Sequence, residues 1–130
     1  MSVKLLGQEL ADANLEVKHR DLSHPGKSSP SVYNKFVVES DTSDKNASCA
    51  LTGSINWTTS GLCTQLNKVL IVQDPDIAGR YLDQWGKLVA AGNSMPASRK
   101  EKNSEPTIHN NVSLYFAATN GEAEFKPVSI

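Results

Sequence analysis

Leu51-Thr52-Gly53-Ser54-Ile55-Asn56-Trp57-Thr58-Thr59-Ser60-Gly61-Leu62 is the stretch on which the reading of this chain turns. Apolar residues run into Gly-Ser-x-Asn-x-Thr, and a helix start follows. Gly53 lets the backbone come close to a ligand, because it has no Cβ. Ser54 and Asn56 offer short polar side chains. Exposed N–H groups at a helix start add a partial positive field. Together these features suit a phosphate group. The same composition also makes an ordinary loop, so the flanking sequence has to decide.

Upstream, Lys35-Phe36-Val37-Val38-Glu39 reads as a strand, residues 40–46 as a polar turn and residues 47–52 as a further strand. Weak alternation over 47–52 predicts burial on both faces. Downstream, Val69-Leu70-Ile71-Val72 is the most apolar run and reads as another strand. Asp74 can then cap a helix, Pro75 fits its first position and Asp76 favours its positive end. Ile77, Ala78, Tyr81, Leu82, Trp85, Leu88 and Val89 share one face of that helix, and Gly92 is its stop signal. Nearer the N-terminus, residues 5–14 read as a short helix, 15–19 as a strand and 21–32 as a Pro- and Ser-rich loop. Residues 93–110 are polar, with Pro96 and Pro106, and read as a linker. Residues 112–118 read as a last strand, with a turn at Asn120-Gly121. The alternation predicts an α/β fold, a mixed β-sheet flanked by helices. One long helix and two short ones cannot cover both faces of such a sheet. The expectation is that the chain pairs with another chain or belongs to something larger.

Composition narrows the function. The chain has 130 residues, enough for one small domain, and its 38% hydrophobic content is that of a globular protein. Thirteen Lys and Arg against fourteen Asp and Glu give a net charge of -1, which argues against a non-specific nucleic-acid binder while leaving room for a local basic groove. No apolar run approaches the roughly 20 residues of a membrane helix. An acid at Glu9 comes too early for a secretory signal, so a complete chain is expected in the cytoplasm; for a fragment the compartment is open. Cys49 and Cys63 are too few for a disulfide framework and are expected as buried thiols. His19, His24 and His109 lack metal-site spacing, so no metal or other cofactor is expected. Trp57, Tyr81 and Trp85 are expected in the core.

Lysine on a strand, polar turn, second strand, then Gly-Ser-x-Asn: this order resembles the phospholipase D superfamily, whose signature is His-x-Lys, an Asp shortly after, and Gly-Ser-x-Asn. The run from Thr58 to Gln65 and the helix through Trp85 also resemble bacterial phospholipase D-like proteins, so the likeness covers residues 5–92. It implies a site made by two motif copies, from two lobes or two subunits. One histidine attacks phosphorus, the other protonates the leaving alcohol, and lysine with Ser/Asn groups holds the phosphoryl oxygens. On this chain the resemblance places the motif lysine at Lys35, the glycine at Gly53, the serine at Ser54 and the asparagine at Asn56.

The chain departs from the motif twice. The histidine position is Tyr33, and a phenol with a pKa near 10 is a poor nucleophile and proton shuttle at neutral pH. The expected Asp position is Ser40, with Asp41 one residue later, a slip that a β-bulge could absorb. The implied function is a phospholipase D-like phosphodiesterase domain impaired in catalysis, acting on a phosphodiester or phosphate ligand. The resemblance further implies a C-terminal lobe portion over residues 1–92, a linker over 93–110 and the start of a second lobe over 111–130, completed by that lobe or by a homodimer. The alternative is a non-enzymatic phosphate-binding or assembly module. A tyrosine nucleophile at Tyr33 is the third reading, and the substrate class stays open among lipids, nucleic acids and other diesters.

Overall fold

A computed structural model describes residues 34–41, 43, 45–56, 58–93, 98–117, 119 and 121, with the side chains of 98–100 excepted. The chain divides after residue 30, and every described residue belongs to the second unit. The expected helix over 5–14, strand over 15–19 and loop over 21–32 lie outside the described residues, as do Tyr33 and Trp57.

Three strands form one antiparallel sheet: β1 (Phe36–Ser40), β2 (Ala47–Gly53) and β3 (Val69–Val72), with β2 in the middle. The β1–β2 register pairs Phe36 with Thr52 and Val38 with Ala50, and it slips between Glu39 and Ser40. The extra residue at the slip is Ser48 on β2, so the irregularity does not supply the added β1 residue that the displacement of Asp41 asks for. On the other side of β2, Leu51 pairs with Ile71 and Gly53 with Val69. Among the described residues both sheets are antiparallel, so the expected mixed sheet is corrected to α/β content with antiparallel pairing.

One helix supplies most of the cover. Helix α2 (Pro75–Ala91) follows a five-residue helix α1 (Thr59–Cys63) and β3, and it packs on β2 and β1. Its bounds follow from local chemistry. Asp74 accepts from the N–H groups of Asp76 and Ile77, both at 3.0 Å, and Pro75 occupies the first helical position. Gly92 caps the C-terminus at φ 51°, a conformation glycine adopts without strain. The core is small: Ala47, Ala50, Ile77, Ala78 and Tyr81, with Phe36, Val38, Val72, Leu82, Leu114 and Phe116 packed around it. Alanines at 47, 50 and 78 let helix and sheet approach closely. Tyr81 fills the remaining space, its ring 5.2 Å from those of both Phe36 and Phe116.

The segment expected as a linker is structured. It holds helix α3 (Ser98–Asn103) and strand β4 (Thr107–His109), and β4 pairs antiparallel with β5 (Val112–Leu114). Asn110 and Asn111, both at positive φ, make the two-residue turn, a conformation asparagine tolerates better than most residues. The strand expected over 112–118 is therefore three residues long. Leu114 and Phe116 pack on the core of β1, β2 and α2.

Three further expectations are corrected. Strand β2 is buried on the helix face only, because α2 covers one side and nothing described covers the other. Strand β3, which carried no burial expectation, is a sheet edge and its apolar run is exposed, with Ile71 at 60%. Both cysteines are free as expected, but Cys63 is exposed, since α1 lies outside the core. Of the aromatic residues described, Tyr81 is core and Trp85 is half exposed. No helix among the described residues is long and apolar enough to cross a membrane.

Candidate functional site

The register that pairs Phe36 with Thr52 brings Lys35 beside Gly53 at one end of the sheet. A side-chain bond holds the two strand ends together: Thr52 Oγ1 donates to the carbonyl of Lys35 at 3.1 Å. Lys35, Leu51, Gly53, Ile55 and Val69 line a shallow surface notch. Lys35 thus occupies the uncovered face of the sheet, where alternation also places Val37, Leu51 and Ile71.

The turn after β2 serves the fold in ways the sequence did not announce. A Cβ on Gly53 would lie 2.0 Å from the Lys68 carbonyl oxygen. The close approach that requires glycine is made by the chain itself. Ser54 is committed as well. Its N–H donates to the Lys68 carbonyl at 3.0 Å, its hydroxyl donates to Asn67 Oδ1 at 3.2 Å, and that hydroxyl accepts from the Lys68 N–H at 2.9 Å. Asn67 Nδ2 donates in turn to the Gly61 carbonyl at 2.6 Å. The Gly-Ser pair thereby ties the turn to α1 and to the entry of β3. Asn56 is exposed, and its carbonyl accepts from Thr58 N–H at 2.8 Å. A Cβ on Gly61 would lie 2.1 Å from that carbonyl oxygen, so this glycine too is demanded by packing.

Asp41 lies apart from Lys35, at the other end of β1. Six residues of strand span about 20 Å. Its carboxylate organises the β1–β2 turn, accepting from Ser43 N–H at 3.1 Å, Ser43 Oγ at 2.7 Å, Lys45 N–H at 3.2 Å and Asn46 Nδ2 at 2.7 Å. The Ser43 hydroxyl above all, then Asn46 and the Lys45 N–H, hold its pKa far below the ordinary carboxylate range. Of the sequence-derived site residues, the structure brings together Lys35 and Gly53, leaves Asn56 exposed on the same turn, commits Ser54 to the fold and sets Asp41 elsewhere.

Two groupings escaped the sequence reading. His109 lies between two carboxylates, with Nε2 3.2 Å from Asp74 and Nδ1 3.4 Å from Asp76. It joins the β4–β5 hairpin to the start of α2. The second is Gln84, which is 2% exposed on the inner face of α2. A signal for it was present: position 84 stands three residues after Tyr81 and seven after Ile77, on the apolar stripe. No family model, curated protein or solved structure matches the chain.

Proposed function

We propose that this chain is a phospholipase D-type lobe, impaired in catalysis, that binds the phosphoryl group of a phosphodiester or phosphate at the Lys35 end of the sheet. The observation that carries the reading is the placement of Lys35 beside Gly53, tied across the strands by the 3.1 Å bond from Thr52. Lys35 would supply the positive charge and Asn56 a neutral donor from the turn. Ser54 would hold the turn in shape without touching the ligand, since its hydroxyl already donates and accepts within the fold. Tyr33 stands at the motif position that would attack phosphorus, two residues before Lys35. A phenol with a pKa near 10 is almost wholly protonated at neutral pH. Binding without turnover follows.

Hydrolysis of a chromogenic phosphodiester by wild type, Tyr33→His and Tyr33→Phe tests the catalytic half. The expected result is no turnover in wild type and its appearance in Tyr33→His. Turnover in wild type that vanishes in Tyr33→Phe would replace this reading with a tyrosine nucleophile. Calorimetric titration with inorganic phosphate tests the binding half. Loss of one charge-assisted contact in Lys35→Ala should weaken affinity roughly tenfold or more. Equal affinity in wild type and variant would remove the site.

A second reading, an assembly module, has its own observation. Val37 and Ile71 are both exposed on the uncovered sheet face, with Leu51 between them. Sedimentation of wild type against Ile71→Asp separates the two: a dimer that dissociates in the variant favours assembly.

A further inference from the structure

We infer that the open cavity between α2, α3 and the β4–β5 hairpin is a binding site for a small organic oxyanion, a carboxylate or phosphate monoester with a short apolar body. The cavity measures about 150 Å3. Gln84 forms part of its floor, and its Nε2 is buried with no hydrogen-bond partner among the described residues. A buried donor left unpaired is destabilising, and native folds seldom leave one without reason. What the amide lacks is an acceptor.

The surroundings indicate which acceptor. Arg80, Lys87 and Lys102 line the cavity, against the two acids Asp83 and Glu105. Asp83 pairs with Lys87 and lies 3.9 Å from Arg80, so its charge is already shared between two cations. The lining therefore keeps a positive excess, contributed by Lys102 on α3. Leu114 and Phe116 make the opposite wall apolar. A donor in the floor, a cation at the side and an apolar wall together match a molecule with an anionic head and an apolar body. A cation or neutral donor would leave Nε2 unpaired and meet the positive excess.

The site shares no residue with the Lys35 end of the sheet, so it stands or falls on its own variants. The test is a nuclear magnetic resonance titration of the isotope-labelled full chain with benzoate and, separately, inorganic phosphate, following the Gln84 side-chain amide in wild type and the backbone N–H groups of Thr107 and Leu114 in every variant. A saturable shift of the Gln84 resonance at millimolar ligand is expected. Benzoate alone would assign the site to carboxylates, phosphate alone to phosphoryl groups, and either supports it. Gln84→Leu, an apolar replacement in an otherwise apolar stripe, should weaken binding roughly 10- to 100-fold, as loss of a hydrogen bond to a charged group does. Gln84→Glu should abolish binding by setting like charges together. Lys102→Ala should weaken it roughly tenfold. A Gln84 amide that neither ligand perturbs, because a trapped water satisfies it, would overturn the site. So would undiminished binding in both Gln84 variants.

Discussion

The hydroxyl of Ser54 donates to Asn67 Oδ1 across 3.2 Å, spanning thirteen residues of sequence. This one bond, with the Lys68 N–H that the same hydroxyl accepts, closes the loop carrying α1 between β2 and β3. A serine that reads as a ligand donor is thereby a structural link. Replacing it by alanine deletes one bond and leaves the Lys68 N–H without its partner. The expected cost is about 0.5–1.5 kcal/mol, because both bonds are exposed and water can replace the lost partner; it is read from urea denaturation, with phosphate affinity at Lys35 little changed. A stable Ser54→Ala that has lost phosphate affinity would return Ser54 to the ligand.

Gly53→Ala tests the same corner from the backbone. The new Cβ would meet the Lys68 carbonyl oxygen at 2.0 Å, and that oxygen belongs to main chain already bonded to Ser54 N–H. Overpacking of this kind costs about 1–3 kcal/mol. The variant should melt measurably lower in a calorimetric scan, whereas Gly79→Ala, where the added methyl meets nothing within 4 Å, should not.

Tyr81 carries the core. Burial pushes its phenol up from the ordinary value of 10.0. Tyr81→Ala removes the ring that Phe36 and Phe116 both contact and should cost about 3–5 kcal/mol, as large aromatic truncations do. Tyr81→Phe keeps both ring contacts and should retain most of that stability. Equal losses in the two variants would mean that the hydroxyl, not the ring, is what matters.

Asp41 predicts an acid-limb signature. Its folded pKa is depressed below the ordinary 3.8, so the unfolded chain takes up its proton first. The contribution is fully present above the unfolded value and is lost as pH falls through the folded one. Stability measured from pH 6 downward should therefore fall less steeply in Asp41→Asn than in wild type below about pH 4. Superimposable profiles would remove the effect.

Much of the fold was legible in local chemistry. Helix α2 starts and stops where Asp74, Pro75 and Gly92 say it should, because capping and φ preference act within a turn of the residue concerned. Strand β3 has the bounds expected of Val69–Val72. The misreadings share one cause. Strand β2 was expected to be buried on both faces, but how many faces a strand buries depends on which elements arrive to cover them. Residues 93–110 read as linker because the elements there are three to six residues long, too short for periodicity to register. Lys35 and Gly53 were singled out together and the register does place them together, while the same register carries Asp41 to the far end of β1.

Local structure, then, was written in the sequence: where the chain turns, where its one long helix begins and ends, and which helical face is apolar. These depend on interactions between residues a few positions apart. Only the tertiary structure decided that the Ser54 hydroxyl is spent on Asn67 and Lys68, that Asp41 serves a turn, and that Gln84 lines a cavity shared with three cations and two acids. Each of those outcomes depends on partners from another element, and pattern along a chain does not encode which distant group will arrive to take a hydrogen bond.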